Sequence, residues 1–284
     1  MKYRRIGDVE VSAIGLGGMP MSIEGRPDED RSIRTIHAAL DSGITIIDTA
    51  DAYQLPEDEV GHNESLIARA LASYGTDPSR ILIATKGGHL RPPDGTWTLD
   101  GSAEHLKQAC EGSLKRLGVD AIGLYQYHRP DPNVPYEESL GALRDLVDAG
   151  KVRMAGVSNA NSDQIRQARE ILGDRLVSVQ NQFSPAYRSS APELELCDQL
   201  GLAFLPWSPL GGIGKADQLG GQFAAFADIG RDRGISPQQV CLAWMLATSP
   251  HVVPIPGASR PETIRDSAAA TEVQLTADEL AALG

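Results

Sequence analysis

The chain has 284 residues, a formal net charge of -12 at neutral pH and a pI near 4.9. This length suits one large α/β barrel, typically about 250 residues, or two ordinary domains. Nucleic-acid and anionic-membrane surfaces need clustered Lys and Arg, which an acidic chain does not favour. No run approaches the roughly 18 apolar residues of a membrane span, so we expect a protein that acts on small molecules in solution, with no nucleic-acid or membrane partner.

The three cysteines, Cys110, Cys197 and Cys241, all fall in predicted helices. None is paired at a spacing typical of a metal or redox site, so we interpret them as buried thiols and predict no metal site. The first residues carry charges but no apolar leader segment. These features together predict a cytoplasmic location.

The predicted elements begin with residues 2–12, whose alternation around Gly7 and Asp8 indicates a β-hairpin. From residue 14 onward the pattern repeats as strand, loop and amphipathic helix. The predicted strands cover residues 14–19, 44–47, 81–84, 121–125, 152–157, 176–179, 202–205 and 252–255. Among the helices that follow them are 136–149, 162–172, 192–200 and 237–248, and a last short helix opens at Thr276.

This alternation has connections too short for a second sheet and no linker between two domains. Gly15, Gly17 and Gly18 do not form a Gly-x-Gly-x-x-Gly motif that opens a helix, which disfavours a doubly wound dinucleotide fold. We predict an α/β fold of a single domain over residues 1–284: a (β/α)8 TIM barrel with an amino-terminal hairpin at its bottom and a short carboxyl-terminal helix.

Helix starts can also be predicted from local sequence. Residues 236–239, Ser-Pro-Gln-Gln, predict a capping box with proline at the first helical position. Ser259 and Glu262 predict a second capping box, whose free backbone N–H groups would face an anion.

Polar side chains follow three of the predicted strands. Asp48 and Tyr53 come after residues 44–47, Lys86 follows residues 81–84, and His128 follows residues 121–125. The carboxyl ends of parallel strands are where ligands bind in α/β barrels, so these side chains are expected to share one face. Asp51 lies between the first two, and we assign it a structural role such as capping.

Four chemically different residues in this order, each at a predicted strand end, resemble the aldo-keto reductase family. The resemblance implies that Asp48, Tyr53, Lys86 and His128 form the catalytic tetrad. Tyrosine has a pKa near 10, so Tyr53 needs the nearby cation Lys86 to act as an acid–base group. Asp48 would hold the lysine charged, and His128 would position the carbonyl oxygen.

The resemblance also implies a nicotinamide cofactor. Trp207 would stack on the nicotinamide ring, and Arg260 with Ser259 would hold a 2′-phosphate. NADPH is favoured over NADH, which stays possible because Gly257 and Thr263 stand where many relatives have Lys and Arg. The other predicted cofactor residues are Ser158, Asn159 and Gln180 at the carboxamide, Ser208, Leu210 and Gly211 at the pyrophosphate, and Asp266 and Ser267 at the adenine. The predicted substrate-pocket residues are Met19, Met21, Gln54, His89 and Trp97.

Two functions stay open from the sequence. The first is an NADPH-dependent oxidoreductase that reduces aldehydes or small ketones, with Tyr53 as proton donor and a small-molecule carbonyl substrate. The second is a cofactor-binding regulatory subunit of the same fold with little turnover. A barrel enzyme of another chemistry, such as a lyase, would leave the Trp207 and Ser158 segments unexplained, and fold alone does not separate the three. We expect a monomer or a weak homo-oligomer.

Overall fold

The computed structural model describes residues 1–75, 77 and 80–284, and it begins with the predicted hairpin. Strand β1 (Tyr3–Ile6) pairs antiparallel with β2 (Val9–Ser12). Gly7 takes a φ of 58° in the turn, a left-handed conformation that glycine adopts without strain. Ile6 and Val11 are fully buried and pack against residues at the beginnings of the central strands. The hairpin therefore closes the bottom of the barrel, as predicted.

The central sheet is parallel, and within the described residues it contains seven strands in sequence order. A second antiparallel hairpin, formed by β6 (His89–Leu90) and β7 (Thr98–Leu99), extends from the loop after the third of these strands. The seven strands are β3 (Leu16–Gly17), β4 (Ile46–Asp48), β5 (Leu82–Gly87), β8 (Ile122–Tyr127), β9 (Val152–Ser158), β10 (Leu176–Gln180) and β11 (Ala203–Phe204).

An extended segment, residues 252–257, closes the sheet between its first and last strands. The N–H of Val253 donates to the carbonyl oxygen of Phe204 at 2.8 Å, and the N–H of Gly15 donates to that of Pro254 at 2.9 Å. Prolines in this segment lack the N–H that a regular strand contributes, so the pairing consists of isolated bridges. The segment occupies the position of the predicted eighth strand, and the (β/α)8 barrel is confirmed.

Strand β4 illustrates why the strands contain continuous apolar runs. Ile46 faces the barrel interior, in the same cluster of buried residues as Ile6 and Val11 of the hairpin. Ile47 packs on the other side of the strand, against Ile36 and Leu66 of the surrounding helices. Both isoleucines are fully buried, as expected for a parallel strand covered on both faces. Asp48, the next residue, is the first polar side chain at the carboxyl end of this strand.

Helices surround the barrel, and most follow a strand in the predicted order. α7, α8 and α11 are additional to the barrel helices. The bounds are α1 (Glu29–Asp41), α2 (His62–Tyr74), α3 (Ala103–Leu117), α4 (Tyr136–Asp148), α5 (Ser162–Leu172), α6 (Ala191–Leu200), α7 (Leu219–Gln222), α8 (Ala224–Arg233), α9 (Pro237–Thr248), α10 (Pro261–Ala269) and α11 (Ala277–Leu283).

The predicted helix starts are only partly correct. Ser236 caps α9 by accepting from the N–H of Gln239 at 3.0 Å, but the Gln239 side chain donates to Asp266 instead of returning to the cap. The predicted capping box of Ser259 and Glu262 is wrong. Helix α10 begins one residue later, with Arg260 as the N-cap and without a side-chain cap.

The three cysteines are buried in α3, α6 and α9, and all are free. Burial raises the pKa of each thiol, to about 12 for Cys110. These thiols stay protonated at neutral pH and are poor nucleophiles. In the part of the chain that the structure describes, no helix is long and apolar enough to cross a membrane, and no cluster of His, Cys, Asp or Glu has the arrangement of a metal site.

Candidate active site

Two neighbouring strand ends bring Asp48 and Lys86 together at the top of the barrel. Asp48 pairs in register with Ala84 of β5, so Lys86, two residues further along, projects to the same side. The ammonium Nζ of Lys86 donates to Asp48 Oδ1 at 2.7 Å and to the carbonyl oxygen of Thr49 at 2.8 Å. It also donates to the Tyr53 hydroxyl at 3.3 Å. The Lys86 side chain is fully buried, so these three oxygen atoms, and not water, stabilise its ammonium group.

The charge of Lys86 is maintained by its partners. Burial by itself would lower the pKa of this ammonium group, but Asp48 and Tyr53 raise it, and the net shift is upward. Lys86 is therefore a fixed positive charge at neutral pH. It lies beneath the phenol of Tyr53, with Nζ 5.0 Å from the ring centroid.

Tyr53 is itself buried, and opposing effects decide its protonation. Burial and the charge of Asp48 raise the pKa of Tyr53, Lys86 lowers it, and the net shift is upward. The lysine thus acts in the expected direction, but burial outweighs it. The hydroxyl is protonated at neutral pH and can donate a proton.

His128 faces Tyr53 from the end of β8. The two ring centroids are 5.7 Å apart, with the planes at 80°. Burial, the charge of Lys86 and two further neighbours hold the pKa of His128 well below its usual range, so the imidazole is neutral. A neutral imidazole has one N–H donor and one acceptor nitrogen. No hydrogen-bond partner occurs for its buried Nδ1 within the described residues.

The second oxygen of Asp48 is held by amide side chains. Gln180 Nε2 donates to Asp48 Oδ2 at 2.7 Å, and Gln126 Nε2 lies 3.5 Å from the same oxygen. Ser158 donates its hydroxyl to the carbonyl oxygen of Gln180 at 2.8 Å. Sequence reasoning missed Gln126, although its place directly after the predicted strand 121–125 was a signal for it.

Trp207 is tied to the same site through Asn159. The indole Nε1 donates to Asn159 Oδ1 at 3.2 Å, and Asn159 Nδ2 donates to the carbonyl oxygen of His128 at 3.0 Å. Asn159 and Ser208 have φ values of 56° and 51°, a left-handed conformation that is uncommon for non-glycine residues and often accompanies functional sites.

These groups lie in or beneath a cavity of about 980 Å³. The family model of the aldo/keto reductase family matches residues 13–284 of this chain. The chain belongs to the aldo/keto reductase family. It is therefore an oxidoreductase that uses a nicotinamide cofactor, NAD(P)H.

Named relatives of this aldo/keto reductase support the assignment over nearly its whole length. A 6-dehydroglucose reductase of Novosphingobium aromaticivorans is 36% identical over 281 residues, which is 96% of this chain and 91% of the relative. A glycerol dehydrogenase of Gluconobacter oxydans superposes with a TM-score of 0.84 at 27% identity, covering 99% of this chain and 93% of the other. An aldo/keto reductase of Klebsiella pneumoniae, solved with NADP and acetate, has a TM-score of 0.82 at 28% identity, covering 99% and 94%.

The cavity of this aldo/keto reductase contains most, but not all, of the residues predicted for its site. Lys86 lies behind the cavity wall, and Gly211 is not a lining residue, whereas Gly212 is. Lining positions are occupied by Asp48, Tyr53 and His128 of the tetrad, by Ser158, Asn159, Gln180, Trp207, Ser208, Leu210, Ser259, Arg260, Asp266 and Ser267 among the cofactor residues, and by Met19, His89 and Trp97 among the pocket residues.

Two predicted pocket residues do not line the cavity. Met21 is buried in the cluster that contains Leu16 and Ile36, so it belongs to the packing between barrel and helices. Gln54 is buried beside the loop before α2, where its Oε1 lies 3.5 Å from the N–H of Gly61. Sequence reasoning missed Arg129, which lines the cavity next to His128.

The residues at the other end of the cavity fit a dinucleotide. In this part of the cavity, the loop contains three glycines with positive φ, Gly211, Gly212 and Gly214. Residues with a side chain rarely adopt this backbone conformation, whereas glycine does so without strain. Arg260 is exposed on the cavity wall and offers a guanidinium group to a phosphate. Asp266, predicted at the adenine, is partly engaged, because it accepts hydrogen bonds from Ser236 and Gln239 at 2.7 and 2.6 Å.

Proposed function

We propose that this aldo/keto reductase reduces aldehydes or small ketones to alcohols with NADPH, and that Tyr53 donates the proton. The observation that carries the proposal is the position of the Lys86 ammonium, 2.7 Å from Asp48 and 3.3 Å from the Tyr53 hydroxyl, directly beneath the cavity. A buried cation at a phenol stabilises the phenolate that remains after proton donation. If the ion pair of Lys86 and Asp48 had only a structural role, the ammonium group would not need to contact the Tyr53 hydroxyl.

Each tetrad residue has a distinct proposed role. Tyr53 gives its proton to the carbonyl oxygen as negative charge develops there, and Lys86 stabilises the resulting phenolate. Asp48, held by Gln180, keeps the lysine charged and oriented. Neutral His128 orients the carbonyl oxygen by donating an N–H. NADPH, when bound, supplies the hydride for the carbonyl carbon.

We further propose which residues hold the cofactor. Trp207 offers its indole face to the nicotinamide, with its edge fixed by Asn159. Ser208, Leu210 and the neighbouring glycine loop lie along the pyrophosphate. Arg260 and Ser259 hold the 2′-phosphate, which favours NADPH over NADH because a guanidinium group binds phosphate with paired hydrogen bonds. Ser267 and Asp266 contact the adenine.

The names of the relatives agree with this reaction class. One is a 6-dehydroglucose reductase and another a glycerol dehydrogenase, and both names describe carbonyl or alcohol chemistry on small molecules. We propose that residues 1–284 carry out the reaction as one domain.

The decisive experiment follows NADPH absorbance while the purified protein is mixed with a panel of aldehydes and small ketones. We expect turnover with at least one aldehyde, and formation of the corresponding alcohol. NADPH binding without oxidation, even in a single turnover with every carbonyl tested, would contradict the proposal and favour the cofactor-binding regulatory subunit.

A further inference from the structure

Four ring side chains form a continuous part of the cavity wall. The Tyr53 and His128 ring centroids are 5.7 Å apart, those of His128 and His89 are 4.8 Å apart, and those of His89 and Trp97 are 4.7 Å apart. Trp97, carried by the loop before β7, is 38% exposed. The wall therefore extends from the buried Tyr53 to Trp97 at the protein surface.

Two arginines lie at the wall, and they differ in whether they are engaged. Arg91 stacks over the Trp97 ring at 4.7 Å, donates to the carbonyl oxygen of Gln54 at 2.9 Å and forms an ion pair with Glu24. Arg129 lines the cavity and is exposed, and it forms no hydrogen bond or ion pair within residues 1–75, 77 and 80–284. Arg129 is thus the arginine that is available to a ligand.

The charge of Arg129 lowers the pKa values of the two histidines in the wall, His89 and His128. Burial and then Arg129 lower the pKa of His89 to about 4, and Arg129 also contributes to the low pKa of His128. Both imidazoles are neutral at neutral pH, so they cannot replace the arginine as a cation. Among the described residues of this wall, Arg129 is therefore the cation without an ion-pair partner, because Arg91 is paired with Glu24.

Within the described residues, no carboxylate forms an ion pair with Arg129. Asp48 is paired with Lys86, and among the described lining residues between 49 and 206 there is no Asp or Glu. The other acidic lining residues, Asp217, Glu262 and Asp266, all follow Trp207 in the chain. A chain with a net charge of -12 repels anions in general, so a cation on the cavity wall without an ion-pair partner among the described residues is a local exception.

We propose that Arg129 is a specificity-determining residue that binds a carboxylate on the substrate while the substrate's carbonyl oxygen faces Tyr53 and His128. This inference rests on the proposed reductase function. The planar guanidinium group presents paired N–H donors that match a carboxylate. Because Arg129, His128 and Tyr53 line the same cavity, the preferred substrates are small molecules that carry both a carboxylate and an aldehyde group.

The test uses a matched pair of aldehydes, 4-carboxybenzaldehyde and 4-formylbenzamide, with NADPH. The measured quantity is kcat/KM for 4-carboxybenzaldehyde divided by kcat/KM for 4-formylbenzamide. Comparing this ratio between the wild type and a variant cancels the intrinsic reactivity of each aldehyde. Arg129→Gln should lower the ratio roughly tenfold to hundredfold, as expected for losing a charged hydrogen bond. Arg144→Gln removes the same charge from an exposed site on α4 that does not line the cavity, and it should leave the ratio unchanged.

A binding measurement separates this inference from the reductase proposal. Calorimetric titration of the NADP⁺-loaded protein with benzoate and benzamide should show a preference for benzoate that Arg129→Gln abolishes. The inference is overturned if Arg129→Gln leaves either the preference for benzoate over benzamide or the ratio of the two kcat/KM values unchanged. An equal loss of activity or affinity for both members of a pair also overturns it, because such a loss indicates general damage to the cavity. If the wild type reduces no aldehyde yet binds benzoate through Arg129, the reductase proposal fails and the anion site stands.

Discussion

The Nζ atom of Lys86 lies 3.3 Å from the hydroxyl oxygen of Tyr53, and both groups are shielded from solvent. Burial raises the pKa of Tyr53, whereas the lysine opposes that rise. A protonated phenol beside a fixed cation is prepared to lose its proton only when an acceptor arrives. Removal of the Tyr53 hydroxyl should therefore abolish proton donation without removing the cation.

Replacing Tyr53 by Phe removes the hydroxyl and leaves the ring to pack. We expect carbonyl reduction to fall by about 10²–10⁴-fold, the usual effect of losing a positioned acid, while NADPH affinity stays nearly unchanged. Single-turnover kinetics measure the reduction step, and calorimetry measures the affinity. Near-normal reduction by the Phe variant would exclude Tyr53 as the proton donor.

Replacing Lys86 by Met leaves the Asp48 carboxylate buried without its cation. We expect a loss of about 3–5 kcal/mol in the free energy of unfolding, the range found when one member of a buried ion pair is removed. In the double variant with Asp48→Asn, no charge is left unpaired, so the cost should be clearly less than the sum of the single variants. Denaturant unfolding of the three variants provides the comparison. Additive losses would show that the two side chains do not act as a pair.

Trp207 is predicted to bind the nicotinamide ring with its indole face. Trp207→Tyr keeps an aromatic face and should largely retain NADPH binding. Trp207→Ala should weaken it by about 0.5–1.5 kcal/mol beyond the packing lost, the contribution typical of aromatic pairs. Calorimetric titration with NADPH measures both variants. Normal binding by the Ala variant would show that stacking on Trp207 is not used.

Arg260 is predicted to discriminate between the two nicotinamide cofactors. Arg260→Ala should weaken the free energy of NADPH binding by about 1.5–3 kcal/mol, as for a charge-assisted hydrogen bond, with little change for NADH. Arg265→Ala is the matched control, because this exposed arginine lies on the same helix and does not line the main cavity. Equal losses for both cofactors in Arg260→Ala would contradict the assignment.

Asp51 provides a prediction about pH and stability. Its carboxyl group is buried, Oδ1 lacks a hydrogen-bond partner within the described residues, and burial followed by repulsion from Glu64 raises its pKa well above the usual range. The unfolded chain loses this proton at a lower pH than the folded protein. The stability linked to Asp51 is therefore present below the unfolded pKa and is lost as the pH rises through the folded pKa.

Asp51→Asn cannot ionise, so its stability relative to the wild type should increase as the pH rises from about 4 to about 8. Thermal unfolding across this range measures the difference. Asp120→Asn changes an exposed aspartate and should show no such trend. A difference between Asp51→Asn and the wild type that does not vary with pH would mean that Asp51 ionises at the same pH in both states.

The sequence by itself determined the strand order, the amino-terminal hairpin and the strand ends at which Asp48, Lys86 and His128 lie. These features depend on local patterns: apolar runs covered on both faces, helix stops at glycine, and polar residues directly after a strand. The eighth strand was also located, although Pro254 and Pro256 prevent regular pairing there.

Only the tertiary structure decided which side chains face the cavity and which charges are compensated. Met21 was predicted in the pocket but packs in the core, and Arg91 is engaged by Glu24 while Arg129 is not. The protonation of Tyr53 likewise depends on burial outweighing a cation contributed by another strand. Side-chain direction in loops and the balance of desolvation against charge are set by atoms distant in sequence, so no local pattern encodes them.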